Sequence, residues 1–371
     1  MAVPKLRIGH LTADIPLIQG GMGVGVSLSG LSSAVADCGA IGVISSACIG
    51  MTEPDFAKKP KLANRRALAK EIRDARQLSD GIIGVNIMVA LSDYSEHVET
   101  ALDEEADVIF LGAGLPLRFS DAVPVDRLRS TRTQIVPIVS SGRAVKLIFG
   151  QWAKRYGRVP DGVVLEGPKA GGHLGFKREQ IEDPDFALER LLPDVLEAIR
   201  PFEEKYDREL PVVVAGGVYN GADMARFLSA GASGVQMGTR FVATHECDAD
   251  LKFKETYLAA RREDIVIIKS PVGLPGRAIR NAYLDGVEAG VRHPHKCSWR
   301  CLSSCPVKKA PYCIGDALIQ AKIGELGKGF PFAGANAWRV DEIVSVRELI
   351  DSLMAEYEDA VRSSVTIAEC A

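Results

Sequence analysis

At 371 residues, with 47% hydrophobic and 25% charged residues, the chain can bury one large core and still carry an appendage, which favours one α/β barrel with additions over three small domains. The formal net charge of −3 argues against a basic face for nucleic acid. No run of 18 apolar residues occurs and the first residues contain no apolar signal core, so we expect a cytoplasmic protein without a membrane anchor.

Short apolar strands alternate with helical segments along the first 240 residues. Strands are predicted at 16–19, 41–44, 83–89, 108–111, 135–139, 162–165, 211–215 and 234–237, and helices at 27–37, 64–77, 94–105, 143–156, 186–205 and 221–230. Residues 112–134 are expected to form a short irregular connection. Such alternation implies right-handed crossovers and a parallel sheet, and eight units over about 230–250 residues fit a closed (β/α)8 TIM barrel.

An open doubly wound sheet is the alternative, and it requires a nucleotide-binding fingerprint after the first strand. The glycines of that loop stand at positions 20, 21, 23 and 25, which does not match G-x-G-x-x-G. No G-x-x-x-x-G-K-[ST] motif occurs in the chain either. The sequence therefore favours the barrel.

Two glycine-bearing loops predict a phosphate site. In barrels of this kind a phosphate often lies on the loops after strands seven and eight. Here strand seven runs into Gly216 and Gly217, and strand eight into Gly238 and Thr239, with Arg240 as a nearby cation. Backbone amides without side-chain obstruction suit an anion, so we expect a phosphate group there.

The loop after strand six places one titratable ring at the barrel mouth. Gly171 and Gly172 permit close approach of a flat ligand, and His173 follows them directly. The alternative interpretation is a turn whose histidine only hydrogen-bonds the backbone. Asn86 is polar within the apolar third strand, so its amide needs a partner, either a ligand at the barrel mouth or neighbouring backbone.

Five segments of the chain resemble the nitronate monooxygenase (2-nitropropane dioxygenase-like) family, which includes the FMN-dependent enoyl-acyl-carrier-protein reductases. These segments are 16–23, 85–87, 166–173, 214–218 and 235–241, and weaker similarity covers 270–281 and 327–336. The last of these would be a loop closing over the flavin side or an ordinary aromatic packing loop.

The resemblance implies FMN in a (β/α)8 barrel, with His173 as the catalytic residue. The implied cofactor-binding residues are Gly21, Met22, Gly23, Asn86, Ser140, Glu166, Gly171, Gly172, Ala215, Gly216, Gly217, Gly238 and Thr239.

Three functions follow from this resemblance and remain open at this point. In a nitronate monooxygenase, an imidazole with a pKa near neutrality would remove the proton from a carbon beside the nitro group. In an enoyl-thioester reductase using NAD(P)H, the same ring would place or protonate the thioester while the flavin supplies the redox chemistry. In a non-catalytic redox subunit, working with an electron-donor protein, His173 would be dispensable.

Four of the eight cysteines crowd together with the spacing C-x3-C-x3-C-x7-C. No acidic residue occurs between positions 288 and 316, and five basic residues surround the cysteines. The arrangement suits a [4Fe–4S] cluster, which is ligated by four thiolates. It suits structural zinc less well, and free thiols or a disulfide are the third interpretation. The candidate metal ligands are Cys297, Cys301, Cys305 and Cys313. The remaining four cysteines are expected to be small core or surface residues.

These features suggest three parts. Residues 1–262 would form the barrel, 263–340 a cysteine-rich, basic extension covering the flavin side, and 341–371 a C-terminal helix. Ser345 and Glu348 form a capping box at the start of that helix. It would pack back on the barrel or on a second subunit, giving a homodimer.

Overall fold

The computed structural model describes residues 3–293, 297, 299–303 and 305–369. In chain order its helices and strands are β1 (Leu6–Ile8), β2 (Leu11–Ala13), β3 (Leu17–Gln19), α1 (Ser29–Asp37), β4 (Gly42–Ser45), α2 (Pro60–Leu78), β5 (Ile83–Met88), α3 (Tyr94–Asp103), β6 (Val108–Gly112), α4 (Val125–Ser130), β7 (Gln134–Val139), α5 (Gly142–Tyr156), β8 (Val163–Glu166), β9 (Gly172–His173), α6 (Leu188–Tyr206), β10 (Val212–Ala215), α7 (Gly221–Ser229), β11 (Gly234–Met237), α8 (Thr239–Val242), α9 (Leu251–Ala259), β12 (Ile265–Lys269), β13 (Pro275–Ile279), α10 (Ala282–Glu288), α11 (Ile314–Lys322) and α12 (Val346–Glu369).

Eight parallel strands form a barrel in the order β3-β4-β5-β6-β7-β8-β10-β11, and β11 pairs with β3. Strands β3 and β4 meet through a parallel bridge between Ile18 and Ile41. The Gln19 amide donates to the Ile41 carbonyl at 2.9 Å, and the Ile41 amide donates to the Leu17 carbonyl at 3.0 Å. The predicted (β/α)8 barrel is confirmed, and the bounds of all eight predicted strands agree with the structure within one residue.

The core has two layers that follow from the alternation of side chains along each strand. In β6, Val108 and Phe110 belong to the apolar cluster inside the barrel, whereas Ile109 and Leu111 pack under the surrounding helices. Leu6 and other side chains of the β1–β2 hairpin join the inner cluster. The sequence did not predict this hairpin, because strands of three residues carry too little alternation to detect.

The prediction that residues 112–134 form an irregular connection was wrong in one respect, because this stretch contains the short helix α4. Pro124 occupies the position before this helix, where its fixed φ is tolerated. Six residues are too few for a helical period to stand out in the sequence.

Helix α12 completes the outer ring. It packs against α7 and α1, the helices that follow the seventh and the first barrel strands. The Glu356 carboxylate accepts a hydrogen bond of 2.7 Å from the Gly221 amide at the start of α7. Residues 243–345 therefore lie between the last barrel strand and the helix that fills the eighth position. The three-part division of the chain stays a prediction.

The inserted residues build a small sheet on the barrel mouth. Strand β13 pairs antiparallel with β12 and with β9, and β9 comes from the loop after the sixth barrel strand. This sheet thereby fixes the loop that carries His173. Among the helices of the described chain, none is long and apolar enough to span a membrane.

Candidate functional site

An open pocket lies at the carboxyl ends of the barrel strands. Loops after the first, sixth, seventh and eighth strands line it, together with residues 333–336 of the insertion. Eleven of the thirteen predicted cofactor-binding residues line this pocket, namely Gly21, Met22, Gly23, Glu166, Gly171, Gly172, Ala215, Gly216, Gly217, Gly238 and Thr239.

The loop after the seventh strand presents bare backbone to the pocket. Gly216 has φ +80° and Gly217 has φ +130°, conformations that side chains rarely adopt. A Cβ at Gly216 would lie 2.6 Å from the Gly167 carbonyl oxygen, so the position also lacks room for one. This loop can therefore carry its amides against a ligand only while both positions remain glycine.

Two cations near this loop differ in their placement. Lys169 lines the pocket, although the sequence analysis did not select it. Its position between the end of the sixth strand and the Gly171–Gly172 pair could have indicated this. Arg240, expected as the nearby cation, is not among the lining residues. Its guanidinium stacks on the Tyr219 ring at 4.8 Å and donates to the Tyr219 carbonyl at 3.4 Å.

His173 lies beside the pocket, behind Gly172 and Phe332, which both line it. Its ring meets Phe332 edge to face with the centroids 5.0 Å apart, and its Nε2 lies 2.7 Å from the Ser270 hydroxyl. Burial lowers the pKa of His173 to about 4. The imidazole is therefore neutral at neutral pH, and it is a weaker base than the ring with a pKa near neutrality that the sequence analysis expected.

Backbone pairing and a buried guanidinium position the histidine loop. His173 pairs with Gly276, and Gly172 pairs with Arg277, in the β9–β13 ladder. Arg277 donates hydrogen bonds of 2.7 Å and 2.6 Å to the carbonyls of Pro168 and Ala170. Burial lowers the pKa of Arg277 to about 10, so the side chain still carries its charge at neutral pH. In the sequence, Arg277 stands in a segment that resembles the family. Its hydrogen bonds to the histidine loop could not be predicted from that segment.

Glu166 contributes an unusual carboxyl group to the pocket floor. It is the last residue of β8, in register with Ala215 of the neighbouring strand. Burial raises the pKa of Glu166 to about 7. The charge of the pocket therefore changes across neutral pH.

Two predicted cofactor-binding residues do not line the pocket. Asn86 lies directly beneath the loop after the first strand, where its side chain leaves no room for a Cβ at Gly21. The Ser140 hydroxyl lies 3.5 Å from the carbonyl of Gly175, two residues after His173. Their roles toward a cofactor stay predictions.

The segment 333–336 closes one side of the pocket. The Asn336 side chain donates to the Gly217 carbonyl at 3.1 Å, and the Ala335 amide donates to the Lys169 carbonyl at 3.0 Å. The Gly334 amide donates to the Thr239 hydroxyl at 3.3 Å. These contacts place the late loop over the predicted phosphate loops.

The cysteine-rich segment lies at the same barrel face, above the loops after the second and third strands. All described cysteines are free thiols, and Cys370 lies outside the described residues. Within the described ranges, no group of three or more His, Cys, Asp or Glu side chains is placed to hold a metal ion. Cys48, expected to be a small core or surface residue, is buried in an apolar cluster with Val24 and Ile319, and Cys301 packs against this cluster.

Comparison with known proteins agrees with this arrangement. The family model for nitronate monooxygenase matches residues 5–356. The chain belongs to the nitronate monooxygenase family.

Among relatives, it is 28% identical over 273 residues to the (3aS,4S,5R,7aS)-5-hydroxy-7a-methyl-1-oxo-octahydro-1H-indene-4-carboxyl-CoA dehydrogenase of Rhodococcus jostii, covering 74% of this chain and 65% of the relative. It is 25% identical to a probable nitronate monooxygenase of Bacillus subtilis, covering 73% of this chain and 78% of the relative.

Solved structures of the same fold include FabK from Thermotoga maritima, with a TM-score of 0.72 and 26% identity over 95% of this chain and 96% of that one. A nitroalkane oxidase from Streptomyces ansochromogenes superimposes with a TM-score of 0.68 over 95% of this chain and 97% of that one, at 22% identity, which shows the fold alone.

Proposed function

We propose that the protein is an FMN-dependent oxidoreductase of the nitronate monooxygenase type. The observation that carries the proposal is a neutral, buried histidine beside a glycine-lined pocket at the carboxyl face of the barrel. Family membership supports the same conclusion.

FMN is the cofactor that fits this pocket. The bare backbone at Gly216 and Gly217, the Gly238–Thr239 turn and the Lys169 side chain suit a phosphate, and Gly21 to Gly23 leave space beside the first strand for a flat ring. When bound, the flavin would supply the redox chemistry that no side chain of the pocket can provide.

In this proposal His173 accepts the proton from the substrate carbon beside the nitro group. The lowered pKa keeps the ring neutral, so one of its two nitrogens carries no proton and can accept one. The Ser270 hydroxyl lies 2.7 Å from Nε2, and this contact fixes the orientation of the ring before substrate arrives. Phe332 shields the ring from solvent on one side. In this division of roles, the loops after the seventh and eighth strands bind the phosphate, and His173 accepts the proton.

A second candidate is an enoyl-thioester reductase that uses NAD(P)H. The family resemblance includes enoyl-acyl-carrier-protein reductases, and one relative is named as a dehydrogenase of a carboxyl-CoA compound. In that reaction the neutral imidazole would donate an N–H hydrogen bond to the thioester carbonyl.

Two assays on the same purified protein separate these candidates. Oxygen consumption with a propyl nitronate supports the first, and oxidation of NAD(P)H with a short enoyl-CoA supports the second. Absence of both, together with bound FMN, would favour a non-catalytic redox subunit. A His173→Ala variant that loses turnover but keeps FMN ties the activity to this site.

The proposal extends to a second cofactor, the [4Fe–4S] cluster expected from the cysteine spacing, with zinc as the less favoured occupant. Neither reaction requires it, and the case for it depends on the cysteine-rich segment alone.

A further inference from the structure

One side of the pocket, which ends beside His173, is built from hydrocarbon side chains. Val24 from the loop after the first barrel strand, Leu318 from α11 and Phe332 all line the pocket. Leu318 packs on the apolar cluster that contains Val24, and both Leu318 and Phe332 pack on a second apolar cluster that contains Phe330. These three lining side chains, which we call the apolar wall, therefore belong to one connected surface. The sequence analysis expected no pocket residue from α11.

The apolar wall adjoins the proton acceptor, whereas the basic side chain of the pocket lies elsewhere. The Phe332 ring meets the His173 ring edge to face with the centroids 5.0 Å apart. Lys169, the only basic residue in the described lining, lies against the phosphate loop, since a Cβ at Gly217 would be 3.3 Å from the Lys169 Cδ. A substrate carbon beside His173 is therefore next to hydrocarbon, and the positive charge is left to the phosphate.

Polar groups near the apolar wall are engaged within the protein. The Tyr257 hydroxyl donates to the Phe332 carbonyl at 2.6 Å, and the Ser270 hydroxyl lies 2.7 Å from the His173 Nε2. The buried Arg277 guanidinium donates to two carbonyls of the loop after the sixth barrel strand, at 2.7 Å and 2.6 Å. Because these groups already have partners, the apolar wall offers none of them to a charged substrate chain.

The cation at the end of α11 does not line the pocket either. Lys322 follows Leu318 by four residues and lies on the same side of the helix. A Cβ at Gly25 would be 3.4 Å from the Lys322 Cε and 3.7 Å from its Cδ, so the aliphatic stem of Lys322 packs along the loop after the first barrel strand. Helix α11 therefore presents hydrocarbon to this loop over a full turn.

Buried aromatic rings fix the apolar wall from behind. The Phe332 ring meets the Phe330 ring edge to face with the centroids 5.4 Å apart, and Phe330 meets Tyr312 in the same way at 5.9 Å. Phe330 and Tyr312 are buried, and Tyr312 stands two residues before the first residue of α11. The positions of Leu318 and Phe332 are therefore set by the fold. A fixed wall accepts a chain until it is filled, and a further carbon then causes a clash.

We infer that the substrate of this site carries an apolar carbon chain along the apolar wall, and that Leu318 limits the length of this chain. The inference rests on the proposed function, because it places the reacting carbon beside His173. Burial of each methylene group favours binding, whereas a carboxylate at the chain end would lose water without gaining a cation. Nitronates with a neutral hydrocarbon chain, rather than nitronates with a second anionic group, are therefore the expected class.

The test uses unreactive probes, so that it does not depend on turnover. Straight-chain carboxylates share the planar, charged head of a nitronate and cannot undergo its reaction. Isothermal titration calorimetry on the purified full chain measures their affinities from propanoate to heptanoate. We expect affinity to rise about three- to fourfold for each added methylene group until the wall is filled. Hexanedioate, which matches heptanoate in length, should bind at least about tenfold more weakly.

Two substitutions at Leu318 should move the preferred chain length in opposite directions. Leu318→Ala leaves room for a longer chain, so the best-binding length should rise by about one to three carbons, and Leu318→Trp should lower it. Ile323→Ala is the matched control, because Ile323 is an exposed aliphatic residue just after α11 that does not line the pocket. A general loss of folding cannot produce opposite shifts in the two variants.

An affinity that does not change with chain length, no binding of any of these carboxylates, or tighter binding of hexanedioate than of heptanoate would overturn the inference. An unchanged preferred length in both Leu318 variants, with FMN still bound, would overturn it as well. Failure of the proposed function is separate. A protein that shows the length dependence but consumes no oxygen with any alkyl nitronate keeps the apolar-chain site and loses the proposed reaction.

Discussion

The glycine-lined pocket and the cysteine-rich segment share one face of the barrel but are built by opposite means. The pocket consists mainly of backbone at the ends of four strands, with glycines that expose amides. The described residues of the cysteine-rich segment belong to none of the helices or strands and contribute four half-buried thiol side chains. A pocket built from backbone tolerates few changes at its glycines, whereas substitutions in a segment without regular structure leave the barrel fold unchanged.

The largest effect should come from the histidine beside the pocket. Replacing His173 with Ala removes the proton acceptor, so we expect turnover to fall about 10²- to 10⁴-fold. FMN affinity should stay within about twofold, because His173 lies behind Gly172 and Phe332. Steady-state kinetics and a flavin titration on the same sample measure both quantities. Turnover near that of the wild type would remove His173 from the mechanism.

The backbone character of the pocket can be tested at Gly216. Gly216→Val introduces a side chain where φ is +80° and where the Gly167 carbonyl leaves no room, so we expect FMN affinity to fall about 100-fold or more. Gly150→Ala is the matched control, since an added Cβ there meets nothing within 4 Å and Ala favours the α5 interior. Equal FMN binding by the two variants would contradict the assignment of the phosphate loops.

The pH dependence separates the two titratable groups of the pocket. Because the pKa of His173 is lowered to about 4, the ring stays deprotonated between pH 5 and 8, and kcat/KM should fall on the acid side only near pH 4. Glu166, with a pKa raised to about 7, adds a second change near neutrality. A pH profile of Glu166→Gln should lack that second change and keep the acid limb. An acid limb near pH 6.5 in this variant would mean that His173 is not held as described.

The barrel was predictable because each strand has its own apolar run, and the loops after the first, sixth, seventh and eighth strands contain glycines. The pocket was predictable for the same reason, since carboxyl-side loops of a parallel barrel must meet at one face. Eleven of the residues expected to bind a cofactor line the pocket, and their contacts with a cofactor stay predictions.

The contacts that residues 243–345 make with the barrel could not be predicted from the sequence. The pairing of Gly172 and His173 with β13, the bond from Ser270 to His173 and the approach of Cys48 to Cys301 join residues roughly 100 to 250 positions apart. No local pattern encodes such distances. Asn86 and Ser140 were expected at the pocket from the family resemblance, and Asn86 also because it is polar within an apolar strand. A position within or just after a strand does not fix the direction in which a side chain points.

The central claim is that FMN occupies the glycine-lined pocket beside His173. Titration of flavin-free protein with FMN, followed by the change in flavin fluorescence, tests it most directly. The account predicts one FMN per chain for the wild type and for His173→Ala, and at least a 100-fold weaker complex for Gly216→Val. No binding by the wild type, or undiminished binding by Gly216→Val, would contradict it.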